Sequence, residues 1–184
     1  SEKIRENWDE EDEDNTEVFC AADGHLLGSV FLRDVPKEDA QRAVKALKRL
    51  GMKTVGILSG DKTNIVAHLA EQLGVDDYRG DLMPEGKVDC IRQMLGSRRV
   101  AFVGDGINDA PVLALSNVGI AMGGAGSDAA VETADIVIQG DQPSKVAEAI
   151  KIGQITQRVV KNNIIWAIGV KLLVLFFGAI GLVG

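Results

Sequence analysis

The chain has 184 residues, of which 46% are apolar and 4% aromatic, with a formal charge of −7. This composition excludes a disordered chain and an aromatic-rich β sandwich, and the length suits one α/β domain with a small appendage. The charge is local: Ser1–Glu17 carries nine acids and two bases while the remainder balances at 18 of each, so no basic excess points to nucleic acid.

Ser1–Glu17 reads as a solvated acidic segment. Its Asp12-Glu13-Asp14-Asn15-Thr16 spells an Asp-x-Asp-x-Thr acceptor loop by letters, yet the polar residues before it cannot form the buried strand that would aim a nucleophile. Val18–Ala22 and Leu26–Leu32, joined by Asp23-Gly24, predict a β-hairpin. Pro36 is expected to open a helix running to about Leu50, so Arg33–Lys37 is either a hinge between lobes or an ordinary strand–helix connection. Lys53–Leu58 predicts a strand that runs into Ser59-Gly60-Asp61, followed by a helix over Thr63–Leu73. There the Ser hydroxyl and the amides of a helix start suit phosphate oxygens; alternatively Ser59 or Asp61 simply caps the helix. Pro84 sits near the start of a helix reaching Leu95. Lys87 in its first turn opposes the helix dipole, so it either points at a phosphate or stays in solvent. Cys20 and Cys90 belong to no Cys-x-x-Cys pair, which indicates neither a zinc site nor a disulfide framework and fits a reducing compartment.

Val100–Val103 then runs into Gly104-Asp105-Gly106-Ile107-Asn108-Asp109-Ala110-Pro111, a strand-to-helix corner. In an open α/β sheet such corners lie where ligands bind, and Asp105 with Asp109 would offer two carboxylates to a hard cation such as Mg²⁺. The competing reading is a Gly-rich turn capped by Asn108 or Asp109. Val118–Met122, a short helix over Ser127–Thr133 and a strand at Ile136–Ile138 complete an alternation that predicts a doubly wound parallel sheet. From Pro143-Ser144 a long helix carrying Lys145, Lys151, Arg158 and Lys161 enters Ile164–Gly184, 21 residues whose single charge is Lys171. That is long enough for one transmembrane helix, with the basic side cytoplasmic. Lys171 falls roughly 10 Å into the bilayer and Asn163 about 80° around the helix from it, so either both face a bundle interior or Asn163 sits at the interface and Lys171 snorkels. The chain starts without Met and stops at or inside the span, and is read as a fragment of something longer.

Ser59-Gly60-Asp61, Lys87 after Pro84, and Gly104–Pro111 together resemble the phosphorylation domain of P-type ATPases, which has the haloacid-dehalogenase-like fold. Val118–Gly123 and Ala134-Asp135 are similar to its heavy-metal-transporting branch, and the Asn163…Lys171 pair is similar to the membrane signature of the zinc, cadmium and lead exporters. The resemblance covers about Val18 to Gly184. It implies an incomplete doubly wound sheet continuing through a long helix into the membrane. The implied parts are an acidic segment and the end of a nucleotide-binding domain (1–32), the C-terminal part of the phosphorylation domain (33–143), a connecting helix (144–163) and a membrane helix (164–184).

The resemblance also implies roles. Asp105 would ligate catalytic Mg²⁺, with Asn108 and Asp109 supporting the phosphate and the Gly104–Gly106 loop. Lys87 would neutralise phosphate charge. Ser59-Gly60-Asp61, standing where the family has Thr-Gly-Asp, would organise dephosphorylation. Asp34 and Lys37 match the hinge imperfectly, leaving their contact with ATP as an expectation, and Lys171 with Asn163 would serve the transport site. The Asp-Lys-Thr-Gly-Thr nucleophile is absent from the sequence, so this chain alone is expected to be inactive and to need the remaining nucleotide-binding, actuator and membrane segments of the same pump. The partners implied are a divalent heavy-metal cation and the lipid bilayer, with no nucleic acid, and the setting is a multi-pass protein of the plasma membrane with residues 1–163 cytoplasmic. The alternatives are a haloacid-dehalogenase-like phosphatase, which would need an apolar strand ending in Asp-x-Asp that is not found here, and a non-catalytic membrane-anchored module.

Overall fold

The computed structural model describes residues 16–23, 25–32, 35–104, 107–123 and 132–180. The acidic N-terminal stretch, Gly24, Asp34, Asp105, Gly106 and most of the helix expected over Ser127–Thr133 lie outside the described residues. Two compact units divide between Lys37 and Glu38.

The first unit is an antiparallel hairpin of β1 (Thr16–Ala22) and β2 (His25–Leu32), paired from Thr16↔Leu32 to Ala22↔His25 with an irregularity between Cys20 and Ala21. Asp23 holds the turn at φ 49°, a left-handed conformation that Asp tolerates better than most residues. Val18, Phe19 and Leu27 are exposed on it. A two-stranded ribbon has too little burial to be stable by itself.

The second unit is α/β. In chain order it contains α1 (Ala40–Arg49), β3 (Gly56–Leu58), α2 (Thr63–Leu73), β4 (Asp77–Arg79) and α3 (Pro84–Leu95). β5 (Ala101–Gly104) follows, then a 3₁₀ turn at Ile107–Asp109, α4 (Ala110–Leu115), β6 (Val118–Met122), β7 (Ile136–Ile138) and α5 (Ser144–Ala179). All pairings in this unit are parallel, but they form two ladders, β3–β4 and β5–β6–β7. Among the described residues no ladder joins β3 to β5, so each has one unpaired edge. Val103, in the middle of β5, is 40% exposed, which is unusual in a parallel strand that helices normally cover.

Three elements differ from the sequence expectation. Pro36 does not open α1, because Asp39 occupies the N-cap position and its carbonyl accepts the first helical hydrogen bond, from Ala43 N–H at 2.8 Å. The strand expected from Lys53 begins only at Gly56; before it, Val55 N–H donates to the Asp76 side chain at 2.9 Å and Val55 O accepts from Asp76 N–H at 2.7 Å, a side-chain continuation of the ladder. β4, a three-residue strand, carries no periodic signal of its own.

The core lies where β6 meets its helices. Ile120, Met122, Ile138 and Val146 form one buried cluster with Leu47 and Ile150 packed against it, and Leu113 with Ala121 forms another beside Phe102. Burying each such side chain is worth about 1.5–3 kcal/mol. Gly119 is required by this packing: a Cβ there would stand 2.6 Å from the backbone carbonyl of Leu113. Asp135 fixes the same point, accepting Gly119 N–H at 2.8 Å while its own N–H donates to Gly119 O at 2.9 Å.

α5 is one unbroken helix of 36 residues, about 54 Å at the usual rise. It is long and apolar enough to cross a membrane, and the apolar window is unburied. It is fastened to α1 at two points. The Asp39 carboxylate accepts Ser144 N–H at 2.8 Å at the helix start, and the Gln154 amide donates to Leu50 O at 3.0 Å where α1 ends. Asp39 is only 9% exposed, and hydrogen bonds from Ser144 hold its carboxyl below the ordinary value of 3.8.

Gly119→Ala is expected to destabilise the unit by about 1–3 kcal/mol through overpacking, whereas Gly153→Ala, with open space around its Cβ, is expected to be neutral or to stabilise by up to ~1 kcal/mol; chemical denaturation distinguishes them. The lowered Asp39 pKa has a defined sign: its stabilisation is complete above the unfolded value and is lost as pH falls through the folded one. Tm measured against pH should therefore show the wild type more stable than Asp39→Asn at neutral pH, with the gap closing below about pH 4.

Candidate active site

Two corners at the carboxyl ends of β3 and β5 carry the residues singled out from the sequence. After β3, the Ser59 hydroxyl donates to Asp61 Oδ2 at 2.6 Å and accepts Asp61 N–H at 3.2 Å, which closes Ser59-Gly60-Asp61 into a tight turn. Gly60 and Asp61 are exposed and Ser59 is half-buried. The loop after β4 grips this turn from the other side. Ser59 N–H donates to Arg79 O at 3.0 Å, Asp81 N–H to Asp61 O at 2.7 Å and Leu82 N–H to Ser59 O at 3.1 Å.

The start of α2 is capped from this neighbouring loop. Neither Ser59 nor Asp61 makes the cap, and Lys62 at the N-cap position makes no side-chain capping bond. Instead Asp81 Oδ2 accepts both Thr63 N–H at 2.9 Å and the Thr63 hydroxyl at 2.5 Å. These two bonds, the hydroxyl first, lower the pKa of Asp81. Sequence reading missed this residue because its partner is 18 positions away and leaves no local pattern; the only trace is the Gly80-Asp81 pair, a combination that suits a positive-φ turn.

After β5, Asp109 occupies the N-cap position of α4 without capping it. Its carboxylate turns away instead. Asp109 Oδ1 accepts from Lys87 Nζ at 2.9 Å, and both side chains are mostly shielded, at 14% and 18% exposure. Lys87 reaches it from the first turn of α3, where Pro84 supplies a start that needs no N–H. Asp109 also lies over Gly104, whose Cβ would meet Asp109 Oδ2 at 2.9 Å, so only glycine permits this approach. Asn108 is exposed beside it.

The structure thus pairs Lys87 with Asp109 over Gly104, and Ser59 with Asp61 around Gly60. Leu82, bonded to Ser59 and two residues before Pro84, is the covalent route from one corner to the helix that serves the other. Asp105, Gly106 and Asp34 lie outside the described residues, and Lys37 belongs to the first unit. Asn163 and Lys171 stand exposed on α5, remote in sequence from both corners. Among the described residues no three His, Cys, Asp or Glu side chains form a metal cluster. The donor chemistry at the β5 corner is nevertheless oxygen-only, with the Asp109 carboxylate over Gly104, and that fits Mg²⁺ rather than a softer ion.

Comparison with known proteins accords with this geometry. Residues 2–117 match the family model for haloacid dehalogenase-like hydrolases. The chain is 49% identical over 170 residues to a zinc-transporting ATPase of Synechocystis sp. and 47% identical over 171 residues to a cadmium, zinc and cobalt-transporting ATPase of Bacillus subtilis. Each match takes in 91% of this chain and 24% of the relative, so the chain spans about a quarter of the length of these proteins. Among solved structures it is similar to a zinc-transporting PIB-type ATPase in the E2·Pi state, with a TM-score of 0.81 and 34% identity over 93% of this chain and 28% of that one.

Lys87 and Asp109 should be energetically coupled. A double-mutant cycle with Lys87→Met and Asp109→Asn is expected to return about 1–2 kcal/mol of interaction energy, measured by denaturation, because either single change strands a poorly hydrated partner.

Proposed function

Since the chain belongs to the haloacid dehalogenase-like hydrolases, in the P-type ATPase branch, we propose that it forms the C-terminal part of the phosphorylation domain and an adjoining membrane helix of an ATP-driven exporter of divalent heavy-metal cations. The single observation that carries this reading is the shielded Lys87–Asp109 pair at the carboxyl end of β5, 2.9 Å long. Phosphoryl transfer is largely positioning and charge neutralisation, and a lysine held against an acidic glycine corner supplies both.

In this reading Lys87 offsets charge on the phosphoryl group and holds the Asp109 carboxylate in orientation. Asp105, the residue after Gly104, would hold Mg²⁺ together with Asp109, and Asn108 would support the phosphate. Bound there, Mg²⁺ would neutralise phosphoryl oxygens. The Ser59 hydroxyl and the Asp61 carboxylate orient the water that ends the phosphorylated state. The acceptor carboxylate, the adenine-binding surface and the actuator would come from other segments of a longer protein, and an acceptor strand would add at an edge of β3 or β5 that is unpaired among the described residues. Asp34 and Lys37 would mark the hinge toward the nucleotide-binding part.

The membrane part rests on α5. Lys171 faces the bilayer depth at which a cation needs an internal partner, and beside Asn163 it would act as a built-in counter-charge that helps release a divalent ion. Residues before Ile164 would then lie in the cytoplasm, with the pump in the plasma membrane.

The test uses the full-length protein. ATPase activity is expected to rise with Zn²⁺, Cd²⁺ or Pb²⁺ and not with Cu⁺, and Lys171→Ala should reduce that stimulation on the order of tenfold while phosphoenzyme still forms from ATP. Stimulation by Cu⁺ alone would remove the substrate class and leave the catalytic reading standing.

A further inference from the structure

Asp81 is held in a left-handed conformation, φ 54°, that few non-glycine residues adopt without a tertiary reason. Three features require it. Gly80 before it is pressed so closely on α2 that a Cβ would stand 2.5 Å from Thr63 Cα and 2.9 Å from Asp61 O. Asp81 N–H then donates to Asp61 O, and its carboxylate turns back to take both donors of Thr63. One residue therefore grips both sides of the Asp61-Lys62-Thr63 segment.

An ordinary cap from position 62 would stabilise α2 equally well. The cap here comes instead from the loop that leads, three residues later, into the helix carrying Lys87. The consequence is geometric: the Ser59–Asp61 turn is located relative to the β4–α3 loop by the Asp81 contacts and by Leu82 N–H on Ser59 O, and not by the chain to its own strand alone.

We propose that Asp81 is a positioning residue for the phosphoryl reaction, setting where the Asp61 carboxylate and the Ser59 hydroxyl stand. The proposal rests on the reading of Ser59-Gly60-Asp61 as the turn that serves dephosphorylation. Since Asp61 is on that turn and Thr63 follows it as the first residue of α2, loss of the grip acts on breakdown of the phosphorylated state more than on its formation.

The experiment follows phosphoenzyme in the full-length protein, with formation from labelled ATP and decay after a chase timed separately, alongside Tm. Asp81→Ala is expected to slow decay on the order of tenfold while changing formation by less than about twofold. Thr63→Val, which removes one donor from the other side of the contact and keeps the side-chain shape, should give the same pattern more weakly. Asp81→Asn keeps an oxygen acceptor and a tolerance for positive φ, and should restore most of the decay rate. A lowered Tm with unchanged decay in both Asp81→Ala and Thr63→Val would overturn the proposal and leave Asp81 a helix cap; equal slowing of formation and decay would overturn it too. Asp61→Ala separates the two levels. If it slows decay and the Asp81 and Thr63 variants do not, the positioning role alone falls; if it leaves decay unchanged, the reading of the turn falls and the role with it.

Discussion

The carboxylate of Asp39 is the one buried charge among the described residues, and the arrangement of the second unit depends on where it is used. Its backbone begins α1 while its side chain begins α5, 105 positions later. A negative group at a helix start satisfies an amide that would otherwise lack a partner and complements the helix dipole. Asp39 thereby fixes the origin of the longest element in the chain, and Gln154 on Leu50 fixes its direction one α1-length further on. The cluster of Ile120, Met122, Ile138 and Val146 fills the space between, so the three-stranded ladder, α1 and the root of α5 behave as one packed body.

Against that body the two corners are held in different ways. The β5 corner is seated in the core through α4, whose Val112 and Leu113 are fully buried, and its Asp109 is directed by an ion pair. The β3 corner belongs to a separate two-stranded ladder with little burial, and it is held by backbone hydrogen bonds between loops. A parallel ladder of two strands with an open edge has weak intrinsic order, and loop-to-loop bonds compensate at the Ser59–Asp61 turn.

Much of this was legible in the sequence. The helices over Thr63–Leu73 and Pro84–Leu95 and the strands Val118–Met122 and Ile136–Ile138 follow directly from periodicity and from Pro and Gly punctuation. The pairing of Lys87 with Asp109 was half visible: a lysine in a first turn needs a reason, and the sequence suggested a phosphate without showing the aspartate 22 positions away that also holds it. What the sequence hid are the long-range side-chain bonds of Asp39, Asp76, Asp81 and Asp135. Each is an aspartate bonded to a backbone amide on another element, and no local pattern announces such a partner. The late start of α1 has the same cause, since the residue that ends up as its N-cap is chosen by a contact with α5 as well as by its neighbours.

The unbroken course of α5 has a mechanical consequence. Its root is clamped between Ser144 and Gln154, while Lys171 stands about 25 Å beyond the second clamp along the axis. A helix without proline or a bulge bends little, so a rotation of the packed body by about 5° would carry Lys171 sideways by about 2 Å, close to the width of a metal–ligand bond. The helix is in effect a pointer: small angular adjustments among the strands would be magnified by its length at Lys171.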